Sequence, residues 1–146
     1  MKAKLRNIIL TKTSFERDDE IDFNIETEYD TTIQIRYGIV ENKHFAVEFE
    51  YLFEIFSIEN NEEHQISYSS IHVAQFDLEE EIDLENSINK EKIQRFANIN
   101  AAAMIYPFIR ENAASISAKA GMSPIMIPVS NFIERYEKLN KESSDN

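Results

Sequence analysis

Residues 21–39 read IDFNIETEYDTTIQIRYGI, and apolar and polar side chains alternate along this stretch. The odd positions are Ile, Phe, Thr and Tyr, whereas the even positions are mostly Asp, Glu, Asn, Gln and Arg. A period of two predicts strand with one face buried and one in water, and it favours an antiparallel sheet. The run exceeds ordinary strand length, so either one long strand or two strands breaking near residues 29–32 would fit.

The alternation continues beyond this stretch. After a predicted turn at residues 41–43, apolar side chains occupy every second position from Phe45 to Ile55. This pattern predicts a hairpin partner for the first run. Weaker strand patterns cover residues 5–15 and 66–78, which brings the predicted strand count to about four or five.

The second half of the chain has helical patterns. Asn89 is the predicted N-cap of a long, alanine-rich helix that ends at Gly121. Pro107 predicts a kink or a restart within this helix, because proline has no amide hydrogen to donate. The small side chains of residues 113–118 permit close helix packing, either within the chain or between subunits.

A short amphipathic helix is predicted from Phe132 to Leu139, followed by a polar, disordered tail at residues 141–146. Strands followed by helices predict an α+β fold class: an antiparallel sheet of about four strands, one long helix and one short C-terminal helix. The length of 146 residues predicts a single domain, 1–146.

The composition excludes several classes of function. The net charge is −12, and residues 44–89 contain twelve acidic residues and no Lys or Arg. We therefore expect no nucleic-acid partner, and this acidic segment is either a solvated face or a docking surface for a basic partner. The chain has no Cys and no run of eighteen apolar residues, which predicts a cytoplasmic protein without membrane insertion.

Signatures of enzymes and metal sites are weak. The sequence has no glycine-rich phosphate loop, nucleophile elbow or HExxH motif, so we expect no enzyme, no catalytic residue and no cofactor. Residues 62–64 (Glu-Glu-His) with His72 could in principle hold a divalent ion, but solvated surface residues are the better interpretation. The acidic residues 79–85 lack the spacing of a calcium loop. We therefore predict no metal.

The predicted connection between the two helices is unusually apolar. It contains Met122, Ile125, Met126 and Ile127, although connections on a protein surface are normally polar. Either the connection caps the core or it lines a groove. Flexible methionine side chains suit binding partners of varied shape.

Two blocks resemble the bacterial export chaperone SecB. Residues 105–111 read IYPFIRE and residues 120–132 read AGMSPIMIPVSNF, similar to the helix, connection and last-helix entry of that family. Two shorter fragments agree in order. TSFE at 13–16 is similar to the end of the family's first strand, and IFSI at 55–58 is similar to the end of its last strand.

The resemblance implies a four-stranded antiparallel sheet with two helices, assembled as a dimer of dimers that holds unfolded polypeptides without ATP. It implies that the connection between the helices roofs a client groove, with Phe53 and Phe56 on the sheet side. The client-binding residues carried over by position are Phe53, Phe56, Met122, Ile125, Met126 and Ile127.

The family's acidic contact with the SecA motor would correspond to Glu16 and Glu48. Lys12 stands where an aspartate is expected, and residues 59–89 form a longer connection than the family usually has. That segment could be an extra strand or a different docking element.

The leading hypothesis is therefore a SecB-like chaperone that binds unfolded or export-competent polypeptides, or a dedicated client, as a homodimer or homotetramer. The alternative is a SecB-fold binding or scaffold module without holdase activity or SecA coupling.

Overall fold

The computed structural model describes residues 1–21, 26–41, 43–58 and 60–144. The chain forms four strands, a helix that continues through a π-helical turn into a second helix, and a C-terminal helix. Their bounds are β1 Ala3–Arg17, β2 Thr27–Val40, β3 His44–Ser57, β4 Asn60–Leu78, α1 Ser87–Arg95, the π-helical turn Phe96–Ala101, α2 Ala102–Lys119 and α3 Phe132–Ser144. The predicted α+β class is confirmed.

The sheet has the order β1-β4-β3-β2, and every pair of neighbours is antiparallel. β1 and β2 are therefore the two edge strands. β2 continues through residues 29–32 without a break, so the single-strand interpretation holds for 27–40. Residues 22–25 of the predicted run lie outside the described residues.

β4 corrects the interpretation of residues 55–58. These residues were aligned with the end of the family's last strand, but they end β3 and a further strand follows. β4 lies between β1 and β3 in the sheet, pairing with both. Most of the long segment 59–89 is thus a central strand. The chain turns back after β3, and β4 runs antiparallel between β3 and β1.

The helices pack against one face of the sheet, which we call the helix-facing side. Alternate residues of β3 point to this side and are buried, among them Phe45, Val47 and Phe49. Ile105 and Ile109 of α2 belong to the same core cluster. The two-residue period therefore separates a buried face from an opposite face that carries the charged residues of β3.

The first helix begins three residues earlier than predicted. Asn86, and not Asn89, is its N-cap, because the Asn86 side chain accepts a hydrogen bond from the N–H of Ile88 at 3.0 Å. Asn89 lies in the first turn and donates to the carbonyl of Asp83 at 3.2 Å. Both asparagines can cap, and the local sequence alone does not separate them.

The irregularity expected at Pro107 lies elsewhere. α2 is helical through Pro107, and the departure from α-helical geometry is the π-helical turn Phe96–Ala101. This wider turn places Phe96 against Phe45 and Phe76, with ring centroids 6.0 and 5.2 Å apart. An extra residue in one turn shifts the phase of the side chains that follow.

The long helix ends at Gly121 as predicted. Gly121 has a φ of 78°, and the N–H of Met122 bonds to the carbonyl of Ser117, 3.2 Å away, which is the Schellman pattern. α3 begins after Asn131, whose side chain accepts from the N–H of Glu134 at 3.1 Å. The helix continues to Ser144, so residues 141–144 of the predicted disordered tail are helical, and residues 145–146 of that tail lie outside the described residues.

Within the described part of the chain, no helix has the length and apolar character needed to cross a membrane.

Candidate binding groove

The connection between α2 and α3, residues 120–131, has a backbone held by side chains of α2. The Ser117 hydroxyl accepts from the N–H of Ile125 at 2.9 Å, the Arg110 Nε donates to the carbonyl of Ile127 at 3.0 Å, and the Tyr106 hydroxyl donates to the carbonyl of Pro128. These bonds satisfy backbone groups that a surface connection would otherwise give to water. The connection therefore has a defined path along the core.

The four apolar residues predicted to roof a groove fall into different environments. Ile127 is fully buried and belongs to the core, and Ile125 is half-buried against it. Met126 is 73% exposed, and Met122 is half-buried. Ile127 therefore caps the core, whereas Met126 faces solvent.

A groove lies between the edge strand β2 and the end of the connection. Its inner part is a cavity of about 200 Å³, and its outer part is a cavity of about 500 Å³ that extends along α3. Thr31, Ile33, Val129 and Ser130 line both cavities, so the two cavities adjoin. We call this feature the edge groove. Its remaining lining residues are Tyr29, Tyr51, Tyr106, Pro128, Asn131, Glu134, Arg135, Lys138, Leu139 and Glu142.

Aromatic rings form the inner end of the edge groove. The rings of Tyr51 and Tyr106 meet edge-to-face at a centroid distance of 6.0 Å. Tyr29 is 58% exposed and stacks on the buried ring of Phe53 at 5.6 Å. Burial raises the pKa of Tyr51 and of Tyr106, so both hydroxyls are neutral at physiological pH. The inner end of the edge groove is therefore uncharged.

The structure separates Phe53 from Phe56. Phe53 pairs with Thr31 of β2 and lies on the helix-facing side, next to Tyr29. Phe56 pairs with Glu28, three residues along, and lies on the opposite face because successive side chains alternate. The sequence grouped the two phenylalanines, but they do not contribute to one groove.

Sequence reasoning missed most of the edge groove. Val129 is 84% exposed and lines both cavities, yet it was not singled out. In the sequence, Tyr29 is one residue of a strand pattern and Tyr106 belongs to the motif similar to SecB. One signal for Val129 was present in the sequence. Val129 is an apolar residue directly after Pro128, in a connection where Ile127 already supplies the core contact.

The two predicted SecA contacts lie far apart on the sheet. Glu16 lies at the end of β1 opposite Ser67, which pairs with Glu54 of β3. Glu48 is six residues from Glu54, a separation of about 20 Å along the strand. Glu48 also forms an ion pair with Arg36 at 2.8 Å. These two glutamates do not form one acidic cluster.

The weak metal candidate is not assembled by the described residues. His72 is buried on the helix-facing side, between Leu10 and Phe49 in the pairing of the strands. Burial lowers the pKa of His72, which keeps the ring neutral. The side chains of residues 62–64 lie outside the described residues, and the described ones contain no cluster of three metal-ligand side chains.

Comparisons with known proteins agree with this architecture. Residues 81–143 match the family model described as preprotein translocase subunit SecB. A protein-export protein SecB of Anaplasma phagocytophilum is 37% identical over 70 residues, which span 48% of this chain but only 42% of the relative. An uncharacterized protein of Methanocaldococcus jannaschii is 26% identical over 139 residues, covering 89% of this chain and 77% of that protein.

A solved structure shares the fold. The SecB-like chaperone Rv1957 of Mycobacterium tuberculosis, in complex with a ChAD peptide from the antitoxin HigA1, superposes with a TM-score of 0.74. The match covers 88% of this chain and 91% of the other at 17% identity. The family-model match covers the helices and the connection, and the shared fold includes the sheet. The helical half of the chain is therefore similar to SecB proteins, and the whole chain shares the fold of a SecB-like chaperone.

Proposed function

We propose that this protein is a chaperone that binds apolar segments of unfolded polypeptides in the edge groove, without nucleotide. The observation that carries the proposal is the exposure of Val129 and Tyr29 at a groove with an aromatic inner end. The inner end combines aromatic and aliphatic side chains, whereas the outer part along α3 adds charged ones, so the apolar contact with a client would be made at the inner end.

The form of the groove and the similarity to SecB proteins support polypeptide clients. The edge groove is open along β2 and α3, so an extended segment can lie in it. The mycobacterial relative is a chaperone described in complex with an antitoxin peptide. Export clients or one dedicated client are both compatible with this chemistry.

Binding should depend on apolar burial more than on sequence. Each Å² of apolar surface removed from water contributes about 25 cal/mol, whichever apolar side chain supplies it. Affinity should therefore follow the apolar and aromatic content of a client.

We assign no SecA-type motor to this protein. Such a contact would use Glu16 alone, or it would have to displace Arg36 from Glu48. The proposal therefore concerns client binding and leaves export coupling aside.

We further propose that the protein is a homo-oligomer. Met104 and Phe108 of α2 and Leu10 of β1 are 42% to 49% exposed, and both edge strands offer backbone groups for pairing. Exposed apolar side chains and unpaired edges favour association of copies. Sedimentation at micromolar concentration should show a dimer or tetramer, and a monomer would contradict this part of the proposal.

The direct test of function is the suppression of aggregation. Purified protein at stoichiometric ratio, without nucleotide, should keep several unrelated unfolding proteins in solution. Serum albumin at the same mass is the control for non-specific protection. Protection of none of them would favour the alternative of a binding or scaffold module without holdase activity.

A further inference from the structure

We propose that Asp30 of β2 and Arg135 of α3 guard the free edge of the sheet inside the edge groove. The groove then takes up client side chains, but it does not take up a client backbone as a fifth strand. This mode of binding rests on the proposed client-binding function. We call the two residues the edge guard.

β2 is a long and regular edge strand. It pairs with β3 in unbroken register from Thr27 to Val40, whereas the pairing of β1, the other edge, is interrupted by two register shifts. Bulges and irregular pairing protect an edge from adding further strands, and a regular edge needs another form of protection. β2 is therefore the edge at which strand addition would be easiest.

The backbone of β2 points away from the sheet at Thr31 and Ile33. In an antiparallel pair, residues that bond to the neighbouring strand alternate with residues whose N–H and C=O point outward. Ile33 belongs to the outward set, because its carbonyl accepts from the Arg135 Nη2 at 3.1 Å. Thr31, two residues away, belongs to the same set, and both residues line the two cavities of the groove. An extended client in the groove would thus lie next to backbone groups of the sheet edge.

The edge guard occupies one donor and one acceptor in this stretch. The Asp30 carboxylate accepts from the N–H of Thr31 at 3.0 Å, and Arg135 donates to the carbonyl of Ile33. An added strand bonds to the N–H and the C=O of each outward residue, so both pairing positions lose one bond. The client groups that face them would be left unpaired, which is unfavourable wherever water is excluded.

Arg135 is held in place by burial. The residue is half-buried, and its Nη1 is buried without a hydrogen-bond partner among the described residues. Burial also lowers the pKa of its guanidinium. An enclosed side chain has fewer rotamers to lose when it forms a hydrogen bond than an exposed one has, so the contact with Ile33 is more persistent than an exposed ion pair.

A guarded edge suits reversible binding. Strand addition holds any extended backbone by main-chain hydrogen bonds, and it leaves a new free edge for a further chain. Contacts at the inner end of the groove, where Tyr29 and Val129 are exposed, hold a client only through its apolar side chains. Affinity should therefore depend on the side chains of the client and not on its backbone.

The test uses a short apolar-aromatic peptide with both ends blocked, and a series in which one backbone amide at a time is N-methylated. N-methylation removes a donor, and strand addition uses the donors of alternate residues only. Fluorescence anisotropy gives the affinities. In wild type, the mean affinities for methylation at odd and at even positions should agree within about twofold, and a larger alternation would overturn the proposal.

Removing the edge guard should produce the alternation. In Asp30→Ala/Arg135→Met, methylation at one set of alternate positions should weaken binding about fivefold more than at the other set. If circular dichroism shows that this variant does not fold, Asp30→Ala alone, at an exposed position, should show the alternation at about threefold. A folded variant without alternation would overturn the proposal.

Glu28→Ala/Lys90→Met is the matched control. It also removes one acid and one base, both exposed and outside the groove lining, and it should behave as wild type does. Equal alternation in the control would show that charge removal, and not the edge guard, controls strand addition.

The outcomes also separate the edge guard from the function on which it rests. Tight binding with alternation in wild type contradicts only the edge guard. Binding of no peptide in the series by wild type contradicts the edge groove as a client site, and the edge guard with it.

Discussion

Replacing Val129 by Asp should weaken the binding of an unfolded polypeptide by at least about tenfold, because a bound client would cover the new carboxylate with apolar surface. Val129 is 84% exposed and lines both parts of the edge groove. The free energy of unfolding should change by less than about 0.5 kcal/mol, as for most surface substitutions. Affinity for a permanently unfolded, labelled protein and the thermal midpoint are measured on the same sample.

Val40→Asp is the matched control for this substitution. Val40 is 60% exposed, and it lies at the hairpin end of β2 rather than in the groove lining. It adds the same charge with the same change of side chain, and its affinity should stay within about twofold of wild type. If both variants weakened client binding equally, net charge would control binding, and the edge groove would not be the client site.

Replacing Ile127 by Ala should destabilise the protein by about 2–5 kcal/mol, the range for truncating a large buried aliphatic side chain. Ile127 is fully buried and belongs to the core cluster, although it lies in an irregular connection. Met126→Ala, at the adjacent exposed position, should change the free energy of unfolding by less than about 0.5 kcal/mol. Denaturant unfolding monitored by circular dichroism gives both values.

The opposite result would change the role assigned to Ile127 in the connection. If Ile127→Ala were neutral and client binding fell instead, Ile127 would be part of the client surface, as the family position alone implies. The hydrogen bond from Arg110 to the Ile127 carbonyl argues for the core role, because it fixes the backbone at this residue.

The strands could be predicted from the sequence because their signal is local. The alternation in 27–40 and 44–57 follows directly from one buried and one solvated face. The position of β4 was harder to predict, because a strand at the centre of a sheet is defined by its pairing with two distant segments. Its weaker pattern left residues 59–65 to be taken for part of a connection.

The edge groove could not be predicted from the sequence, because its lining depends on strand register and on tertiary contacts. The separation of Phe53 from Phe56 follows from counting residues along β3, once the buried face is known. The different environments of Met126 and Ile127 do not follow from composition, because both are apolar residues in one connection. The hydrogen bonds from α2 fix the backbone path, and that path determines which side chain turns inward.

The edge groove as the site of client binding is tested most directly by site-specific photo-crosslinking. A photoreactive amino acid is introduced at Val129 in one sample and at Val40 in another, and each is irradiated with a labelled, permanently unfolded protein. We expect strong crosslinking from position 129 and only background from position 40. Background crosslinking at 129, or equal crosslinking at both positions, would contradict this site assignment.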